Sequence, residues 1–148
     1  MLFYPKLILI NASRNLINEA LNNAQETIET KPLYDAITKA LNEGWRFYVT
    51  EQERGRCYNL QRVITVPIWA YQKGLDYRTW YLAHELSHFL AFSKGYRGIH
   101  GKEFMEELKK ICPAKCIHFE TSYKPKNATS AGISKSMHFN CGTVPEDF

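Results

Sequence analysis

The stretch YLAHELSHFL, residues 81–90, carries two histidines four positions apart, with a glutamate directly after the first. On an α-helix, residues spaced by four stand one above the other on the same face, so the rings of His84 and His88 reach a common point. Their neighbours are apolar. Trp80, Ala83, Leu86, Leu90 and Ala91 recur at helical spacing and predict a helix that Asp76 or Thr79 caps and that runs to about Lys94, where Gly95 ends it. A His-Glu-His cluster in the middle of such a helix meets a desolvation cost of a few kcal/mol unless something partners it. The stretch therefore predicts a metal-binding pair on a helix at the core of the domain.

Working outward, residues 13–30 place Leu16, Ile17, Ala20, Leu21, Ala24 and Ile28 at helical spacing, with Asn11 or Ser13 as the cap. Pro32 suits the first turn of a second helix with Leu33, Ala36, Ile37, Ala40 and Leu41 on its apolar face, stopped by Gly44. The segments WRFYVT (45–50) and RCYNLQRVITVPIWA (56–70) are rich in aromatic and β-branched residues and are joined by EQERG. They predict a small antiparallel sheet, with Pro67 at an edge or a strand end because it cannot donate a ladder hydrogen bond. An exposed edge of that sheet is open to an extended peptide. Past the histidine helix, Phe104, Leu108 and Ile111 predict a further helix from about Lys102 that stops before Pro113. The expected class is α+β, with helices packed on the sheet.

With 148 residues, 45% of them hydrophobic, the chain suits one core that buries roughly two thirds of its unfolded surface. A single domain is expected: a helical part over 1–44, the sheet and histidine core over 45–112 and a loop-rich tail over 113–148. The opening MLFYPKLILINAS has only a four-residue apolar run, Leu7–Ile10, unlike an export signal, and no run approaches the roughly 18 apolar residues of a membrane span. Four cysteines are too few for a disulfide-built secreted scaffold, so reduced thiols and a cytoplasmic location are expected. A net charge of +4, from 19 basic and 15 acidic residues, permits a nucleic-acid partner without demanding one. Residues 121–145 hold Lys124, Lys126 and Lys135 and no acidic residue.

Zinc suits the histidine pair, since a catalytic zinc takes three protein ligands and keeps a fourth position for water. Glu85 projects about 100° around the helix from His84, close to the metal without being needed as a ligand. There it can take a proton from water and later return one to a leaving amine, which is the chemistry of peptide hydrolysis. The third ligand is open on spacing alone. A histidine six residues past the pair is excluded, because Ala91 and Lys94 stand where that pattern needs Gly and His. Glu103, Glu106 or Glu107 on the next helix, or His100 in the turn before it, remain.

HELSH (84–88), then eleven residues, then HGKEF (100–104), resembles the SprT-like zinc metallopeptidases, the group that includes bacterial SprT and the eukaryotic protease Spartan. In that family the histidine helix is followed by a His-Gly-x-x-Phe element supplying the third histidine. The resemblance implies a zincin-like fold, a zinc ion on His84, His88 and His100, Glu85 as the catalytic glutamate, protein substrates and an association with proteins crosslinked to DNA. Upstream, GRCYNLQRVITVP (55–67) resembles the family's strand pair before the active-site helix, so the likeness covers about residues 46–111. Gly101, between ligand and helix, is expected to need the backbone freedom of glycine, and Phe104 to anchor its helix in the core.

The chain lacks the two Cys-x-x-Cys pairs of the zinc ribbon that many larger members carry. Cys112, Cys116, His138 and Cys141 have acceptable ligand types for a second, structural zinc, but the long gap between the two pairs argues against one. Cys57 reads as a strand-core residue and His118 as surface. Tyr96, Arg97 and Tyr123 are candidates to stabilise an oxyanion. Two other functions fit the same residues: a zinc-containing nucleic-acid-binding adaptor, in which Lys124, Lys126 and Lys135 contact phosphates and Tyr123 stacks on a base, and a peptidoglycan peptidase, which the absent export signal disfavours.

Overall fold

Residues 63–67, Val-Ile-Thr-Val-Pro, are buried at every position, which suits a strand flanked on both sides and covered on both faces. In the computed structural model, which describes residues 6–24 and 28–122, this strand lies at the centre of a three-stranded sheet. β1 (Arg46–Thr50) pairs with β3 (Val63–Pro67) in parallel, and β2 (Arg56–Tyr58) pairs with β3 antiparallel, giving the order β1-β3-β2. The sheet is therefore mixed, not antiparallel as expected. The EQERG turn does reverse the chain between β1 and β2, but it leaves a gap one strand wide that β3 then fills. Pro67 takes the last position of β3, where its missing N–H costs the ladder least. The rest of the aromatic segment turns into a short helix, α3 (Ile68–Tyr71).

Helices α1 (Lys6–Ala24) and α2 (Lys31–Asn42) precede the sheet. α2 has Pro32 in its first turn and buries Leu33, Ala36, Ile37 and Ala40 of the expected apolar face, while Leu41 at its last turn is exposed. α1 begins well before Ser13, so neither Asn11 nor Ser13 caps it. Instead, the Ser13 hydroxyl donates to Leu9 O at 2.7 Å and accepts the Val49 N–H at 2.7 Å, tying the helix to β1. Arg78 holds the same helix from the other side, its guanidinium forked onto the Glu19 carboxylate at 2.7 and 2.8 Å.

The histidine stretch forms the middle of α4 (Leu75–Ser93), in which every residue from Trp80 to Ser87 is buried. Gly74 occupies the N-cap, and Asp76 stands in the first turn, where its charge suits the helix dipole. Past the C-cap, Gly95 takes φ +91°, a conformation that favours glycine. α5 (Lys102–Ile111) packs along α4 and buries Phe104, Glu107, Leu108 and Ile111. Part of the expected loop-rich tail is structured: the chain turns at Pro113 and forms α6 (His118–Ser122), which returns to α4. No helix among the described residues is long and apolar enough to cross a membrane. Tyr123, Lys124, Lys126, Lys135, His138 and Cys141 lie outside the described residues.

One glycine joins the sheet to the histidine helix. Gly55 donates its N–H to the Tyr81 hydroxyl at 2.8 Å, and a Cβ there meets Thr65 O and Tyr81 Cε1, both at 2.4 Å. Neither neighbour is free to yield, since Thr65 belongs to the central strand and Tyr81 is buried in α4. Gly55→Ala is expected to cost about 1–3 kcal/mol through overpacking, read as a lowered denaturation midpoint at unchanged slope; an unchanged midpoint refutes the close approach.

Candidate metal centre

His84 and His88 lie one turn apart on α4, and His100 comes from the turn ahead of α5. One ring nitrogen from each histidine lies within 4.8 Å of the others, close enough to hold one metal ion. His84 Nε2 and His100 Nε2 are 3.3 Å apart, and the three ring centroids are separated by 5.0 to 5.2 Å. Phe104 fills the space beside all three rings. It stacks on His88 at 4.4 Å and meets His84 and His100 edge-on, each at 4.9 Å.

The carboxylates that competed for the third position are engaged elsewhere or stand apart. Glu107 is buried between Lys94 and Lys110, Glu106 pairs with Lys102, and Glu103 is not among the converging ligands. Gly101 is extended, at φ −81° and ψ −167°, so the expected need for glycine's freedom is not met: any residue adopts that backbone. Arg97 is held at the end of α4 by the carbonyls of Phe92 and Tyr96 and over the Phe92 ring, while Tyr96 is exposed. Neither belongs to the histidine cluster. Cys57 is buried in β2, and Cys112 and Cys116 are buried free thiols, their pKa values pushed up to about 12 and about 11 by burial.

Residues distant in sequence complete the surroundings. Glu120 on α6 places Oε1 2.7 Å from His84 Nδ1 and accepts the Trp80 indole N–H at 3.1 Å. Sequence spacing gave no sign of Glu120, which lies 36 residues beyond His84. Burial works to lower the pKa of His84, but the hydrogen bond and charge of Glu120 outweigh it and the net direction is up. Burial likewise pushes Glu120 up, and His84 pulls it down further, so the Glu120 carboxylate stays ionised. His88 is held well below the ordinary histidine value, and His100 at about 4, both chiefly by burial and then by the neighbouring His84 charge. Both rings are therefore neutral near pH 7 and able to ligate.

Glu85, 1% exposed, has its pKa raised to about 7 by burial, with the Arg56 charge on β2 among the groups pulling the other way. Its Oε1 is buried and makes no hydrogen bond among the described residues. A buried carboxylate oxygen with no hydrogen bond among the described residues, on the residue that follows His84 and electrostatically coupled to it, is an environment that a cation and its water would satisfy. No protein-family model, curated protein or solved structure matches this chain.

Proposed function

We propose that the chain is a zinc-dependent endopeptidase with a zincin-like, SprT-like centre: His84, His88 and His100 hold the ion, and Glu85 is the general base. The observation that carries this is the convergence of three imidazoles beside a buried carboxylate of raised pKa. In a tetrahedral zinc site with Zn–N of about 2.0–2.1 Å, neighbouring ligand nitrogens stand about 3.3–3.4 Å apart. The 3.3 Å between His84 and His100 matches that spacing. A neutral nitrogen donor set also suits zinc better than the oxygen-seeking calcium or magnesium.

Bound there, zinc would supply an acidified water and polarise a substrate carbonyl. The chain's own groups do the rest. Glu85, whose carboxylate is ionised beside the ion, accepts the proton of the attacking water and delivers it to the departing amine. The buried run of α4 keeps bulk solvent from His84 and Glu85, and Phe104 covers one side of all three rings, which strengthens the charge interactions at the buried side of the centre. The β2 edge, which contacts the histidine helix and whose Arg56 charge acts on Glu85, is the edge this reading assigns to an extended substrate strand.

Elemental analysis of purified wild type against His100→Ala tests the centre. Expected are about one zinc per chain in the wild type and strong depletion in the variant, since a site reduced from three ligands to two loses most of its affinity. Equal zinc in both proteins would remove His100 from the centre.

A further inference from the structure

The described segment after α5, residues 112–122, contributes none of the three histidines, yet it is pinned against the histidine helix. Cys116 is fully buried and Cys112 nearly so. The Cys116 N–H bonds Pro113 O at 2.9 Å, and the Glu120 N–H bonds Ile117 O at 3.0 Å, so the chain is wound tightly from the proline to α6. Phe119 lies edge-on to Tyr77 with centroids at 5.0 Å and is tilted against Trp80 at 6.2 Å. Lys115 pairs with Asp76 in the first turn of α4 at 3.5 Å. These contacts deliver a single carboxylate oxygen to two donors of α4, Trp80 Nε1 and His84 Nδ1.

An ionised carboxylate only accepts hydrogen bonds, so at 2.7 Å from Oε1 the proton must reside on His84 Nδ1. The neutral ring then presents its lone pair on Nε2, the nitrogen that faces His100. The Trp80 N–H fixes the carboxylate in turn, because its indole is 1% exposed and locked among Tyr77, Tyr81 and Phe119. We propose that Glu120 is the positioning residue of the histidine centre: it sets the tautomer and plane of His84, and so makes the segment after α5 a working part of the metal site. Carboxylate partners of this kind tighten metal binding by orienting the ring and raising its basicity.

This inference rests on the metal reading of the histidine trio, and the test separates the two. The full chain as wild type, Glu120→Ala and Glu120→Gln is titrated with zinc against a competing chelator. The His84 tautomer is read by heteronuclear NMR of the metal-free proteins at alkaline pH, where the ring is neutral. Expected for Glu120→Ala is about 10–100-fold weaker zinc binding, together with loss of the fixed Nδ1–H form. Glu120→Gln keeps an acceptor oxygen, so it restores the tautomer and part of the affinity; a purely structural role for Glu120 does not move the tautomer. Should Glu120→Ala fail to fold, Glu120→Gln decides alone, and an unchanged affinity there overturns the assignment. A wild type that binds no zinc refutes the metal reading itself. A wild type and a folded Glu120→Ala that bind zinc equally well refute only the role of Glu120.

Discussion

Glu85→Gln is expected to retain its zinc and to cleave an unstructured protein, one that the wild type cleaves, about 10²–10⁴-fold more slowly, the usual contribution of a positioned general base. The amide keeps the shape of the side chain and removes only its ability to take a proton, so the loss falls on turnover with metal content unchanged. Wild-type turnover in the zinc-loaded variant would sink the role assigned to Glu85.

The same substitution has an opposite effect on metal-free stability, and the sign follows from the pKa. Burial raises Glu85 from 4.5 to about 7 in the folded chain. Between those values the unfolded chain has released the proton and the folded chain still binds it, so stability falls as pH rises through that window. Glutamine carries no such cost. The metal-free Glu85→Gln protein is therefore expected to match the wild type near pH 4 and to exceed it by about 1–3 kcal/mol at pH 8, measured by denaturant unfolding at both values. Zinc should shrink this advantage, because a nearby dication favours the ionised carboxylate. The group that limits the empty fold is thus the one whose charge the filled site uses.

Local features were the legible ones. The apolar period and the Pro32 start of α2, the Gly95 stop of α4 and the run from Phe104 to Ile111 before Pro113 are decided by residues a few positions apart. The His84–His88 pair belongs to that class too. Ser13 looked like a cap because a hydroxyl near a helix start usually is one; what uses it is the Val49 N–H, 36 residues away in β1. Pairing in the sheet escaped for a similar reason. A turn such as EQERG specifies reversal, whereas insertion of β3 between β1 and β2 depends on which strand needs burial on both faces. His100 was one option among several until the likeness to HGKEF favoured it, and Glu120 carried no spacing signal at all. Cys112 and Cys116, weighed as ligands of a second zinc, are instead buried anchors of the turn that delivers it.

Phe104 is where fold and site meet, and Phe104→Ala is the substitution expected to damage both. The ring is 2% exposed, and truncating a buried phenylalanine costs about 3–5 kcal/mol. Because it touches all three histidine rings, its removal should also loosen their mutual placement, so the loss is expected to be greater in zinc-saturated protein than in metal-free protein. Linkage fixes the size of that excess: about 1.4 kcal/mol for every tenfold weakening of zinc affinity. Unfolding of both proteins with and without zinc gives the excess directly, and chelator competition gives the affinity independently, so the two numbers must agree. If Phe104→Ala costs the same with and without metal, the rings keep their places unaided, and Phe104 is a core residue that merely lies beside them.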